Sequence, residues 1–301
     1  MTSQPFGGVL PAITTPFTDA DVVDHEFLAR HAQWQLDQGC AGIIPLGSLG
    51  EGATLDVDEK VAVVKTLVAA ARGKPVLPGI AAPGTRAAVD LALAAERAGA
   101  RGFMVLPPYV HKGPLREAVA HVSAVLGATS LPCMLYNNPP AYGVDFAPAC
   151  IAELAAAHDN LVAVKESSGD ARRVTAVRAL LGERLAMLVG MDDMVVEGVA
   201  AGASGWVAGL VNAFPRESVR LFDLARAGRR EEALALYRWF LPLLRLDTVP
   251  EFVQLIKLVQ AKVGCGAERV RLPRTPVQGA LRVEALATIE RALRQRPEDV
   301  S

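Results

Sequence analysis

The chain lacks most of the residues that declare a function on sight. It holds only four cysteines in 301 residues, Cys40, Cys133, Cys150 and Cys265, and no two of them form a C-x-x-C pair. Such spacing argues against a disulfide framework and against a zinc site, and leaves reduced core thiols in a cytoplasmic protein as the expectation. The five histidines show no metal-ligand spacing either. No apolar run approaches the roughly eighteen residues of a membrane span, and no basic segment followed by an apolar one opens the chain, so neither a membrane anchor nor a secretory leader is expected. Surplus charge is missing too: 31 Lys and Arg stand against 32 Asp and Glu, a net charge of -1. With the two signs well mixed, neither nucleic acid nor an anionic membrane surface is an expected partner. No G-x-G-x-x-G follows the first strand-like run, which removes the usual support for a doubly wound dinucleotide-binding sheet.

What the chain does have is apolar mass and a rhythm. Hydrophobic residues make up 51% of it, enough for a large core, and its length exceeds a typical single domain except among barrels. Short apolar runs at 9–14, 41–45, 75–80, 102–106, 132–136, 161–164, 185–189 and 205–207 alternate with helical patterns at 24–38, 57–72, 85–98, 115–126, 150–157 and 170–181. Gly39, Gly73 and Gly99 stand where helix C-caps should fall. Eight strand-like runs alternating with helices predict an α/β fold, a (β/α)8 TIM barrel, over 1–214. From 215 to 301 the pattern is helical, at 216–226, 229–246, 249–263 and 283–295, and no flexible linker precedes it. It reads as a C-terminal helical extension packed on the barrel.

The stretch with most chemical content is Leu-Val-Ala-Val-Lys-Glu-Ser-Ser-Gly-Asp at 161–170. Four apolar residues closed by a turn read as a strand buried on both faces, which puts Lys165 at its carboxyl end. That end of a barrel faces the ligand site. A lysine desolvated there loses affinity for its proton and becomes a nucleophile. The plainer reading is an ion pair with Glu166. Gly47, Ser48, Leu49, Gly50 and Gly52 form a glycine-rich loop after 41–45 whose backbone N–H groups could hold a small carboxylate, or simply make a turn. Tyr136 ends 132–136 before Asn137, Asn138 and two prolines, placed to pass protons with Ser48 and Lys165 as partners, unless it is a core tyrosine tied to backbone. Thr14-Thr15-Pro16-Phe17 and Pro107-Pro108-Tyr109-Val110 end two further strands.

Taken in order, TTPF, GSLGE-x-ATL, YNNP and VKESSGD resemble the dihydrodipicolinate synthase and N-acetylneuraminate lyase family, over roughly 7–277. The resemblance implies a (β/α)8 barrel with a helical C-terminal region, usually a homotetramer, with a homodimer as the alternative. It implies a lysine that forms a Schiff base with pyruvate or another 2-oxo acid, with no metal or organic cofactor. Position by position, Lys165 matches the Schiff-base lysine and Tyr136 the proton-shuttling tyrosine. Ser48 and the backbone of Leu49, with Gly47 beside them, match the loop that holds the 2-oxo acid carboxylate. Gly190 and Val207 match pocket-lining positions, and Thr15 and Tyr109 are further candidate substrate contacts. The chain departs from the synthases at Leu49, where they have a second threonine, and at Val110, where they complete a tyrosine pair. It departs again at Ala141, where they carry an arginine for the second substrate's carboxylate. Trp206 and Phe214 suggest a more apolar pocket or part of the core. The expectation is a Schiff-base lyase, an aldolase or dehydratase, with dihydrodipicolinate synthesis and a non-catalytic ligand-binding barrel as alternatives.

Overall fold

The computed structural model describes residues 5–297. Seven parallel strands, β1 (Gly8–Pro11), β2 (Gly79–Ile80), β3 (Phe103–Val105), β4 (Cys133–Asn137), β5 (Leu161–Glu166), β6 (Ala186–Val189) and β7 (Gly205–Ala208), run in the order β1-β7-β6-β5-β4-β3-β2. The gap between β1 and β2 is filled by 41–45, through isolated parallel bridges from Ile44 to Ala12 and from Ile43 to Val76. Ile44 N donates to Pro11 O at 2.8 Å and Leu77 N to Ile43 O at 2.9 Å, so this segment holds a barrel strand's place. It falls short of a regular strand, and 75–80 shrinks to β2, because Pro45, Pro75 and Pro78 have no N–H to extend the ladders. The eight-membered barrel expected from the alternation is therefore present.

The helices are α1 (His25–Asp37), α2 (Val57–Ala70), α3 (Thr85–Arg97), α4 (Leu115–Gly127), α5 (Pro139–Tyr142), α6 (Pro148–Ala157), α7 (Arg172–Leu181), α8 (Val195–Ala200), α9 (Pro215–Arg226), α10 (Arg230–Leu244), α11 (Phe252–Lys262) and α12 (Gly279–Arg294). Local chemistry sets their starts. Asp56 caps α2 in a reciprocal box, its carboxylate accepting from Glu59 N at 2.8 Å while Glu59 Oε2 accepts from Asp56 N at 3.0 Å. The helices cover the outer face of the sheet, which is why the strand residues are apolar at successive positions rather than alternate ones. Cys40 and Cys133 lie in this core as free thiols, with pKa values pushed up to about 12 by burial.

The boundary expected at 214/215 falls ahead of α9. That helix follows the last strand as the other barrel helices follow theirs, and it packs on β1 and α8. The helices beyond it, α10 to α12, and the loops between them form the added layer. The last four residues of the expected 215–301 region, and the first four of 1–214, lie outside the described residues. Among the described residues no helix is long and apolar enough to cross a membrane.

Candidate active site

Register places the two central side chains. In the β4–β5 ladder Tyr136 pairs with Lys165, and paired residues of parallel strands project to the same side. β5 runs two residues past the expected 161–164, so Lys165 and Glu166 are both within the strand. Their side chains consequently diverge. Glu166 accepts hydrogen bonds from Asn137 Nδ2 at 3.0 Å and from Ser168 N at 2.7 Å, and no ion pair joins it to Lys165. Lys165 is buried, and among the described residues it has no carboxylate within ion-pair distance. Its Nζ lies 4.1 Å from the centroid of the Tyr136 ring. Burial lowers its pKa from 10.5 to about 8, against the opposing pull of the Asp247 and Asp192 carboxyls. Gly190 makes room for this lysine: a Cβ there would lie 2.6 Å from Lys165 Cε and 1.9 Å from Ser167 Oγ.

Lys165 opens into a cavity of about 500 Å³ that also exposes Gly47, Ser48, Leu49, Tyr136, Gly190 and Val207, seven of the nine candidate residues. Thr15 and Tyr109 stand behind it. Thr15 Oγ1 donates to Gly50 O at 2.6 Å and so braces the glycine-rich loop, while the Tyr109 ring lies 6.3 Å from that of Tyr142. In the loop, the N–H groups of Ser48 and Leu49 donate to no protein acceptor among the described residues, while those of Glu51 and Gly52 are used within the turn. Gly52 is there for packing, since a Cβ on it would meet Leu46 O at 2.1 Å. Glu51 is fully buried and receives the ammonium of Lys257 from α11, which also donates to Thr15 O at 2.8 Å and Arg269 O at 2.7 Å. The added helical layer thus fixes the loop from behind.

The expected Ser48–Tyr136 contact is not made. Ser48 Oγ bonds the hydroxyl of Tyr142, a residue delivered by the short helix α5, and the Tyr142 ring meets Tyr136 edge-on at 5.6 Å. The Tyr136 hydroxyl accepts instead from Asn138 Nδ2 at 2.9 Å, and burial raises its pKa. Trp206 and Phe214 are core, with Trp206 Nε1 donating to Asp192 Oδ1 at 2.9 Å.

Sequence reasoning missed one wall of the cavity. Asp247, Thr248, Val249, Pro250 and Phe252 line it from the α10–α11 connection, and Arg274 from the segment before α12. The only hint was the polar Asp-Thr pair that separates the helical patterns at 229–246 and 249–263. Lys112 and Arg172 do not line the cavity, and Arg172 is paired with Asp170 at 2.7 Å. Arg274 and Lys165 are the cavity's two cationic side chains among the described residues. Arg274 reaches to 4.0 Å from Glu51, whose charge Lys257 already meets. No group of three or more His, Cys, Asp or Glu side chains is placed to hold a metal ion among the described residues.

A barrel with a desolvated lysine at the carboxyl end of one strand and a tyrosine beside it defines a class of carbonyl-handling enzymes. Residues 5–292 match the family model for the dihydrodipicolinate synthetase family, and the chain belongs to that family, a family of lyases. A 4-hydroxy-tetrahydrodipicolinate synthase of Agrobacterium fabrum is 34% identical over 96% of this chain and 98% of its own length. One from Pelobacter propionicus is 32% identical over 95% and 98%. Among solved structures, the 4-hydroxy-tetrahydrodipicolinate synthase of Methylacidiphilum fumariolicum SolV superposes with a TM-score of 0.92 at 29% identity, covering 96% of both chains. A chloride-inhibited dihydrodipicolinate synthase from Acinetobacter baumannii, complexed with pyruvate, gives 0.88 at 28% identity, covering 96% of this chain and 99% of its own.

Proposed function

We propose that the protein is a class I lyase in which Lys165 forms a Schiff base with pyruvate or another 2-oxo acid, without a metal or organic cofactor. The observation that carries this reading is the buried amine of Lys165, free of any ion pair and opening into a cavity that Tyr136 shares. The 2-oxo acid carboxylate takes the uncommitted N–H groups of Ser48 and Leu49 and the Ser48 hydroxyl, which brings its C2 carbonyl to Lys165. Amine attack gives a carbinolamine, and Tyr136 carries the proton that lets water leave. The resulting iminium draws electrons from C3, so a C3 proton or the C3–C4 bond is lost more readily than from the ketone. Gly190 and Val207 shape the floor of the site. The relative complexed with pyruvate supports the choice of that acid.

A second reading, 4-hydroxy-tetrahydrodipicolinate synthesis, is favoured by Arg274, which supplies a cation to the cavity that Ala141 also lines. We further propose a cytoplasmic homotetramer or homodimer. The free thiols and the exposed Val110 and Leu115 support that reading, the latter two beside the Tyr109 loop.

The function is tested by following pyruvate in deuterium oxide by proton NMR. The wild type should exchange the methyl protons through the enamine, and Lys165→Ala should not. Equal exchange by both proteins would remove the assignment.

A further inference from the structure

Among the described residues Asp247 is the one carboxylic acid that lines the cavity with Lys165, and it makes no hydrogen bond or ion pair that would account for it. It follows α10 in a turn of the added helical layer, and both it and Lys165 line the same space. Its Oδ1 is buried and has no hydrogen-bond partner. The group does not sit there by default. Gly209, after β7, clears the place: a Cβ on Gly209 would lie 2.0 Å from Asp247 Oδ1 and 2.7 Å from Oδ2. The residue is half-buried, but an oxygen buried without a partner costs stability, so its place against a glycine cut to fit it points to a use.

Its protonation state follows from its neighbours. Asp192, the other buried carboxyl near Lys165, accepts hydrogen bonds from Trp206 Nε1 at 2.9 Å, Gly209 N at 3.1 Å and Leu210 N at 2.7 Å. Burial raises the Asp192 pKa to about 6, and the three donors and Lys165 pull against that rise. Asp192 is therefore the more acidic of the two carboxyls and the one that balances the Lys165 charge. Two buried carboxylates beside one amine would not both ionise. Burial and then the Asp192 charge hold the Asp247 pKa well above its ordinary value, with Lys165 opposing and Asp193 adding to the rise. Asp247 is therefore a neutral acid that can donate a hydrogen bond and a proton.

Taking Lys165 as the Schiff-base residue, we propose that Asp247 is the general acid that protonates a leaving hydroxyl at C4 of the bound 2-oxo acid, making the reaction a dehydration. Lys165 condenses with C2 and releases one water. The C3 proton passes to the Tyr136 oxygen, which has just given its own to the departing water, and the electron pair left at C3 forms the enamine. That pair then drives out the C4–O bond while the Asp247 O–H proton passes to the departing oxygen. The second water leaves, and a C3=C4 double bond remains conjugated with the iminium. Hydrolysis at C2 restores the amine, and solvent returns a proton to Asp247 for the one it gave up. No oxidant or reductant enters. Aldol cleavage needs the opposite service, removal of the C4 hydroxyl proton, which a neutral acid does not provide. The substrate class is thus a 4-hydroxy-2-oxo acid, and a distal carboxylate on it would meet Arg274.

The experiment compares wild type with Asp247→Asn, which keeps size and a hydrogen-bond donor but has no proton to give. The probes are pyruvate with borohydride, and 4-hydroxy-2-oxopentanedioate and 4-hydroxy-2-oxopentanoate followed for water loss against pyruvate release. The expected result is trapping of pyruvate on Lys165 in both proteins, together with water loss by the wild type that falls about 10²–10⁴-fold in the variant. The infrared carbonyl band of a protonated carboxyl, present in wild type at neutral pH, should be missing from Asp247→Asn. Release of pyruvate rather than water, elimination from neither probe, or full elimination by the variant would overturn the acid assignment while leaving Lys165 trapped. A wild type that pyruvate cannot label would instead remove the Schiff-base reading itself.

Discussion

Lys165 Nζ and the Tyr136 ring face each other across neighbouring strands, 4.1 Å apart, because the β4–β5 register makes them partners. The ring face favours the ammonium, yet burial dominates and the lysine pKa falls to about 8. Imine formation needs the free amine. Its rate should therefore climb about tenfold per pH unit below pH 8 and level off above it, since the neutral fraction of the amine grows in that proportion. Stopped-flow measurement of pyruvate imine formation against pH checks this. A rate still climbing through pH 10 would mean an unperturbed lysine.

Tyr136→Phe removes a proton route and leaves the loop contacts to the carboxylate in place. Turnover should drop about 10²–10⁴-fold while pyruvate affinity changes little. Steady-state kcat together with pyruvate binding by calorimetry separates the two effects. A fully active variant would pass the shuttle to Tyr142, which already holds Ser48.

Much of this was readable in advance, for a physical reason. A strand covered on both sides must be apolar at every position, so β3 to β7 appear as short apolar runs, and the residue that ends each run falls at the ligand end. That reasoning finds Lys165 and Tyr136. It fails at Ser48, whose partner Tyr142 lies 94 positions away through a contact that only α5 brings about. It fails again at Asp247, which in sequence is one acid between Leu246 and Thr248 and resembles any polar helix end. Its meaning comes from Gly209, a missing side chain 38 residues earlier (247 − 209) that opens the space it occupies. The segments 41–45 and 75–80 read as full strands by their apolar content, while their prolines remove the N–H groups that a full ladder needs.

The buried pair behind the glycine-rich loop makes a stability claim. Lys257→Met would leave Glu51, fully buried, without its ammonium. Breaking one side of a buried ion pair costs about 3–5 kcal/mol, so the midpoint of urea unfolding should fall sharply. Glu51→Gln in the same background should recover part of the loss by removing the stranded charge. No recovery would mean that the hydrogen bonds from Lys257 to Thr15 O and Arg269 O, rather than the charge, hold the layer in place.

With Ala141 lining the cavity where the family's synthases carry arginine, condensation of pyruvate with aspartate semialdehyde should be slow. A lost charge-assisted contact is worth roughly 1.5–3 kcal/mol, on the order of ten- to a hundredfold in catalytic efficiency. Ala141→Arg should raise the rate. Efficient cyclic product from the wild type, lost in Arg274→Ala, would show that Arg274 does the arginine's work from another position in the cavity and would favour the synthase reading.

The most direct test of the account is reductive trapping. Incubation with pyruvate and borohydride, followed by proteolysis and mass spectrometry, should place one reduced pyruvyl group on the peptide containing Lys165 and none elsewhere, and Lys165→Arg should abolish it because guanidinium stays protonated. An unmodified Lys165, or an adduct on another lysine such as Lys112, would contradict the account.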